Sequence, residues 1–294
     1  MKKIAICVAT CNRNEMLARC IDSVINASLS VTTYEFFLIV VDNNTKPKAQ
    51  QVCDKFKELI DLNYYWEAQP GIPFARNRCL FEALENKADF IAFIDDDEEV
   101  KVNWLEIMLQ EIDREGVDVV SGQVMQVYNE RVELKRNLPD GSIRDRCETD
   151  NVVFKSWLAE SLKFDESMPL TGGTDVLFFR QAKEKGAVIR YCDKSIAKED
   201  MSGFRQSLRW RLQRQYRYGL THCLIEKKLM TGASSFKLFL RAIILIPLGL
   251  VEALFYLPCF GFQRALAGVD RTMRGVGSLS YFLGFNYNEY KRKN

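Results

Sequence analysis

The feature that most constrains this chain is an alternation that recurs between residues 4 and 127. A short apolar run is followed by a polar cluster and then by an amphipathic stretch. Residues 4–9, 36–41 and 90–94 are apolar without interruption, as strands buried on both faces of a sheet must be. Residues 15–27 place Met16, Leu17, Cys20, Ile21, Val24 and Ile25 on one helical face. Pro47 suits a helix start, and that helix is expected to run to about residue 60. Residues 63–67 read as a short strand, 72–86 as a helix, 103–114 as an amphipathic helix and 117–127 as a returning strand. This alternation predicts an α/β fold with a mostly parallel sheet flanked by helices. The polar clusters follow the strands at their carboxyl ends, where open α/β sheets hold their ligands.

The rest of the chain departs from this pattern. Residues 129–150 are highly charged, with Pro139-Asp140-Gly141 as a turn, and read as a surface loop. From 204 to about 228 the pattern is helical and basic, and an apolar stretch follows at 236–262, interrupted by Lys237, Arg241 and Glu252. Residues 1–202 carry 26 basic and 35 acidic side chains, whereas 203–294 carry 15 and 4. An acidic front and a basic tail imply two jobs, the tail facing something anionic. The 294 residues allow one large domain with an appendage.

Scarce residue types prune the chemistry. The single histidine, His222, excludes His-rich zinc sites and makes a carboxylate the expected general base. Nine scattered cysteines without a C-x-x-C pair read as reduced thiols of a cytosolic protein. The basic start followed by six apolar residues reads as a strand rather than a signal peptide, so the protein is expected to stay in the cytosol.

The strongest single motif is Ile94-Asp95-Asp96-Asp97-Glu98-Glu99. Carboxylates crowded directly after a buried strand repel one another, and a divalent cation such as Mg²⁺ or Mn²⁺ relieves that repulsion. A solvated acidic turn is the competing reading. Asp42 ends the second strand and could accept hydrogen bonds from a base or ribose, or could cap a turn. Gly71-Ile72-Pro73-Phe74-Ala75-Arg76-Asn77-Arg78 places two cations in the first turns of a helix, where they oppose its dipole, which favours a ligand role. Thr10-Cys11-Asn12-Arg13-Asn14 follows the first strand at the same sheet edge. Gly172-Gly173-Thr174-Asp175 lets backbone approach a substrate, with Asp175 either capping a helix or serving as a general base. Neither G-x-G-x-x-G nor G-x-x-x-x-G-K occurs, so metal and arginine remain as the means of holding phosphate.

Taken together, Ala9-Thr10-Cys11-Asn12-Arg13, Val41-Asp42, 71–77, the triplet and Gly172-Gly173-Thr174-Asp175 resemble inverting family 2 glycosyltransferases with the GT-A fold. The resemblance spans roughly residues 4–220 and implies a glycosyltransferase domain at 1–222 with a helical, membrane-associating region at 223–294. It implies that Thr10, Arg13, Asp42, Arg76, Asp95 and Asp96 bind a nucleotide-sugar donor, that Asp97 ligates Mn²⁺ or Mg²⁺ on the diphosphate, and that Asp175 deprotonates the acceptor hydroxyl. The family usually has Glu-Asp at the last motif, where this chain has Thr174-Asp175, eleven residues before Gly186. Arg211 and Arg214 resemble a basic segment that would face a donor or lipid-carrier diphosphate; a solvated or membrane-facing stripe is the other reading. The implied reaction uses a donor, expected to be UDP-linked, and a glycan or lipid-linked acceptor in bacterial surface-glycan synthesis. A nucleotide-sugar-forming nucleotidyltransferase and a non-catalytic nucleotide-sugar-binding membrane scaffold are the alternatives. Nucleic-acid binding is not expected, because the basic segment is followed by an apolar stretch rather than by aromatics interleaved on a sheet.

For residues 242–262, the carboxylate Glu252 and the prolines at 247 and 258 argue against a clean span. Short helices lying in the interface of an anionic membrane are expected, with a buried helical hairpin or a dimer interface, and after these a true span, as alternatives. The protein would then be peripheral on the cytosolic face of the inner membrane.

Overall fold

The computed structural model describes residues 1–28, 33–129, 131–229 and 235–285. The chain forms two compact units, one of Met1–Pro169 with Thr174–Met201, the other of Leu170–Gly173 with the chain from Ser202 onward.

In the first unit the elements run β1 (Lys2–Thr10), α1 (Asn14–Ser28), β2 (Tyr34–Asp42), α2 (Gln50–Asp54), β3 (Leu62–Trp66), α3 (Ile72–Glu85), β4 (Phe90–Phe93), β5 (Glu98–Val100) and α4 (Trp104–Glu115). They continue as β6 (Val119–Val127), β7 (Val132–Leu134), β8 (Ile143–Arg144), β9 (Val152–Lys155), α5 (Trp157–Ser161), α6 (Thr174–Glu184) and β10 (Ile189–Asp200). The sheet order is β3-β2-β1-β4-β9-β6-β10-β5, with β7 on β6 and β8 on β10. The β3, β2, β1 and β4 pairings and that of β6 with β10 are parallel; β9 runs antiparallel between β4 and β6. The expected mostly parallel α/β architecture is therefore present.

The apolar runs are continuous because both faces of the sheet are covered. In β1, Ile4, Ile6 and Val8 pack with α1 and α4, while Ala5 and Cys7 pack toward α3 and α6. Register then brings the polar strand ends together: Thr10 lies beside Asp42, and Asp42 beside Trp66.

Several expectations need correction. The helix expected from 47 to 60 is the single turn α2, because the amides of Lys48 and Ala49 are held by the Asp42 carboxylate at 2.7 and 2.8 Å and keep that segment out of a helix. Beyond it, Lys55, Phe56 and Leu59 each bond three residues back, as successive turns. The charged segment 129–150 is not a mere surface loop. It contributes β7 and β8 and buries Arg136, Cys147, Thr149 and Asp150. Arg136 bridges Glu148 and Asp150, and Lys135 bridges Asp150 and Glu199 at 2.9 and 3.0 Å, so the charges of Lys135, Arg136 and Asp150 are paired inside the fold.

The second unit comprises a short 3₁₀ turn at Gly203–Gln206 and the helices α7 (Leu208–Lys228), α8 (Ser235–Phe260) and α9 (Phe262–Phe282). The boundary expected at 222 falls inside α7. Pro247 and Pro258 do not divide the apolar stretch, since α8 runs continuously through both. Packing against α9 overrides their low helix propensity. Gly249 faces Gly268 so closely that a Cβ there would stand 2.5 Å from the Gly268 carbonyl oxygen, and Thr272 Oγ1 donates to the Ile246 carbonyl at 3.4 Å. Lys291, Arg292 and Lys293 lie outside the described residues.

Candidate active site

The candidate residues of the first unit gather where β1, β2 and β4 end. Thr10, the last residue of β1, donates its hydroxyl to Asp96 Oδ2 at 2.8 Å. Arg13, in the turn that follows, sends one nitrogen, Nη1, to both Asp96 Oδ1 and Asp97 Oδ2 at 2.8 Å. The Asp96 and Asp97 side chains are almost wholly buried, so this guanidinium provides the opposite charge that such burial demands. Burial pushes the Asp96 carboxyl up from its ordinary value, against the lowering effect of Arg13.

Asp95 differs from its neighbours, with a side chain 43% exposed. Its carboxyl is raised from the ordinary value, by the enclosing protein and by the Asp97 and Asp150 carboxylates, against the lowering effect of Arg76. Glu98, buried beneath it, accepts the Asp95 amide on Oε2 at 3.3 Å, while Oε1 has no hydrogen-bond partner among the described residues. Desolvation, followed by the Asp95 and Asp150 charges, drives the Glu98 carboxyl upward as well. Negative charge here exceeds what the nearby cations balance.

Arg76 links this edge to the first turn of α6. It is 8% exposed and lies 3.8 Å from Asp95 Oδ1 through Nη2 and 3.8 Å from Asp175 Oδ2 through Nη1. Its Nη1 also reaches Thr174 Oγ1 at 3.5 Å, and its guanidinium stands 5.6 Å from the Phe164 ring centroid. Phe164 in turn stacks on Phe178 of α6 at 4.5 Å, which fixes the platform beneath the arginine. Asp175 lies within the first turn of α6 rather than capping it, and its Oδ1 accepts the Val176 amide at 2.8 Å.

Asp42 is fully buried and accepts five hydrogen bonds. The donors are the Asn44 amide and side chain, the amides of Lys48 and Ala49, and the Tyr64 hydroxyl. Of the two roles open to Asp42 in the sequence, the turn-organising one is what its bonds display. The neighbouring Asn43 escaped the sequence reading. Its side-chain oxygen accepts the Gly71 amide at 2.9 Å, and its nitrogen donates to the carbonyls of Glu67 and Gln69. Gly71 begins α3 at φ 134, and a Cβ there would lie 2.7 Å from the Pro169 carbonyl oxygen. Asn43 and Gly71 therefore set where α3 starts, and so where Arg76 stands.

Arg211 and Arg214 belong to the other unit. Arg211 makes a bidentate pair with Asp270, its shortest contact 2.8 Å, and Arg214 donates to the Tyr218 hydroxyl at 2.6 Å over the Trp210 ring.

Asp95 and Asp97 supply hard oxygens of the kind Mg²⁺ and Mn²⁺ prefer. No group of three or more His, Cys, Asp or Glu poised for a metal occurs among the described residues. Mg²⁺ and Mn²⁺ commonly take only one or two carboxylates and complete their shells with water and phosphate, a demand that the chemistry of Asp95 and Asp97 fits.

Comparisons with known proteins agree with this architecture. The chain is 30% identical over 199 residues to the succinoglycan biosynthesis protein ExoM of Rhizobium meliloti (strain 1021), covering 63% of each chain. It is 25% identical over 154 residues to the poly(ribitol-phosphate) beta-N-acetylglucosaminyltransferase TarP of Staphylococcus aureus (strain N315), covering 52% of this chain and 46% of TarP. Thus it matches less than two thirds of the length of either relative. Among solved structures, S. aureus TarS superposes with a TM-score of 0.57 at 15% identity, over 95% of this chain and 55% of that one. TarS 1–349 in complex with UDP gives 0.55 at 17%, over 98% and 93%. TarS 1–349 in complex with UDP-GlcNAc gives 0.54 at 14%, over 98% and 93%. These similarities carry the fold. Residues 5–167, which hold the strand ends, the triplet and Arg76, match the family described as Glycosyl transferase family 2, and the chain belongs to that family.

Proposed function

We propose that this protein is a metal-dependent, inverting glycosyltransferase. It moves a sugar from a UDP-linked donor to a hydroxyl of a lipid-linked or polysaccharide acceptor in bacterial surface-glycan synthesis. The observation that carries the reading is the placement of Arg76 between Asp95 and Asp175. One buried cation thereby ties the triplet, which would handle the donor diphosphate, to the carboxylate that would handle the acceptor. Uridine is favoured because the similar TarS structures hold UDP and UDP-GlcNAc, and a surface-glycan acceptor because ExoM and TarP are named for succinoglycan and poly(ribitol-phosphate) chemistry.

In this reading Thr10, Arg13 and Asp96 form the floor on which the donor rests, and Asp95 and Asp97 offer oxygens to Mg²⁺ or Mn²⁺. Asp42 acts by shaping the 43–49 loop, since the loop already uses both of its oxygens. Asp175 accepts the proton of the acceptor hydroxyl as that oxygen bonds to the anomeric carbon and the bond to the diphosphate oxygen breaks. A single displacement inverts configuration. A divalent cation, when bound, stabilises charge developing on the leaving diphosphate.

The test is calorimetric titration with UDP, GDP and dTDP, each with and without Mn²⁺, on the parent protein, Asp97→Ala and Asp175→Asn. Metal-dependent UDP binding is expected, lost in Asp97→Ala and kept in Asp175→Asn, whose transfer activity disappears. Failure of folded protein with metal to bind any of the three nucleotides would overturn the reading, whereas UDP binding without any transfer would favour the non-catalytic nucleotide-sugar-binding scaffold.

A further inference from the structure

The second unit presents an apolar surface that the proposed chemistry does not use. The helix α8 has a mean hydropathy of 2.2 over its most apolar 18 residues, yet only 17% of that window is buried. Ile243, Ile244, Leu248, Val251, Leu254 and Phe255 are all largely exposed, Val251 at 65% and Leu254 at 71%. At 100° per residue these positions fan over roughly 140° of the helix. Leu238, Ala242 and Gly249, the buried positions of α8, lie on the opposite side. A face this broad suits a continuous apolar medium better than the narrow seam of a helix pair.

The companion helix decides how α8 meets that medium. Close approaches of Gly268 to Gly249 and of Gly275 to Ile246, with the Phe239–Phe282 ring contact, show α9 running antiparallel along most of α8. Asp270, Arg271 and Arg274 lie midway along α9, and Asp270 pairs with Arg211 of α7. Were α8 to cross a bilayer, α9 would carry these charges into the hydrocarbon, where charged side chains are strongly disfavoured. Glu252, the lone acid of α8, is paired with Arg271 at 3.0 Å and so brings no uncompensated charge to the lipid boundary. Lys237 and Arg241 stand toward one end of the apolar face and Arg264 toward the other, in a region carrying 15 basic and 4 acidic side chains.

We infer that α8 lies flat on an anionic bilayer, its 243–255 face sunk among the acyl chains and its flanking cations at the headgroups, rather than spanning the membrane or sealing a dimer. This placement deepens the proposed function, because it would bring the enzyme to a lipid-linked acceptor, but its observations are those of α8 and α9 and not of the donor site.

The test is flotation of the full chain with vesicles of phosphatidylcholine alone or with 30% phosphatidylglycerol. The parent protein, Leu254→Glu/Phe255→Glu and Lys237→Gln/Arg241→Gln are compared, with UDP binding followed on the same samples. The parent is expected to float with anionic vesicles and to be stripped by high salt or carbonate, as an interfacial helix is. The acidic double variant should lose at least about tenfold in partitioning, and the glutamine variant should lose the preference for anionic lipid. Retention on vesicles through carbonate extraction would overturn the inference in favour of a span. Equal flotation of the Leu254→Glu/Phe255→Glu protein would overturn it outright, as would a lipid-free dimer that this variant dissociates. UDP binding reports on the donor site whichever way flotation falls, so the two readings fail separately.

Discussion

Arg76 is the residue whose removal tests the site most directly. It faces Asp95 and Asp175 at the same distance, 3.8 Å, but the two pairs differ in exposure, with Asp95 at 43% and Asp175 at 18%. Coulomb's law at 3.8 Å gives about 4 kcal/mol at an effective dielectric constant of ~20 and about 1 kcal/mol in bulk water. The exposed Asp95 pair belongs near the lower figure. The more enclosed Asp175 pair belongs between them, at about 2 kcal/mol once desolvation is set against it.

The perturbation is a double-mutant cycle of Arg76→Met with Asp175→Asn, and a second with Asp95→Asn. Urea unfolding of the sheet-containing unit is the assay. Coupling energies of about 2 and about 1 kcal/mol are expected, in that order. The single Arg76→Met variant should also transfer sugar at least about 100-fold more slowly, because it frees the carboxylates from their shared cation. Additivity in both cycles to within ~0.3 kcal/mol would refute the clamp, since independent sites behave that way.

Three further predictions follow from named contacts. Gly71→Ala adds a Cβ against the Pro169 carbonyl at a φ of 134 and should cost about 1–3 kcal/mol while displacing α3; thermal denaturation and UDP affinity would both fall, and an unchanged Tm would sink the steric argument. Asn43→Ala strands the Gly71 amide and two carbonyls and should destabilise by about 1–3 kcal/mol, with Asn43→Asp restoring at most the acceptor half; equal stability of Asn43→Ala in urea would show that water replaces the side chain without loss. Burial opposes ionisation of Asp150, yet Arg136 and Lys135 outweigh it and hold its carboxyl well below the usual carboxylate range. A depressed folded value means its stabilisation is intact above the unfolded value of about 3.9 and fades as pH drops toward the lower folded one. Acid unfolding of Asp150→Asn should therefore be shallower than that of the parent in this window, and matching slopes would remove Asp150 as a source of acid sensitivity.

What was legible in the sequence follows from how local each cause is. The strand positions were readable because burial on both faces leaves an uninterrupted apolar run, as in β1. Thr10, Asp42 and Asp95 were readable because strand ends in a parallel sheet converge on one edge. The failures share a different origin. Nothing near 136 announces that its arginine is buried, because its partner Asp150 and the carbonyl of Gly122 come from other parts of the chain. Pro247 and Pro258 announce a break that packing against α9 overrides, so propensity there pointed the wrong way.

The pairing of Asp95 and Asp175 through Arg76 is the instructive case. Asp95 and Asp175 each stood out by residue type, but Arg76 joins them across a separation of 98 residues from Thr174, and no spacing rule reaches that far. The joining depends on Gly71 tolerating a conformation other residues resist, on Asn43 holding the turn before it, and on Phe164 giving the guanidinium a surface. The carboxylates are therefore a matter of composition, whereas their distance from a shared cation is set by the start of one helix. Moving that start should separate the two halves of the proposed reaction without altering any residue proposed to perform it, so Gly71→Ala and Asn43→Ala are expected to slow turnover although neither residue would touch substrate.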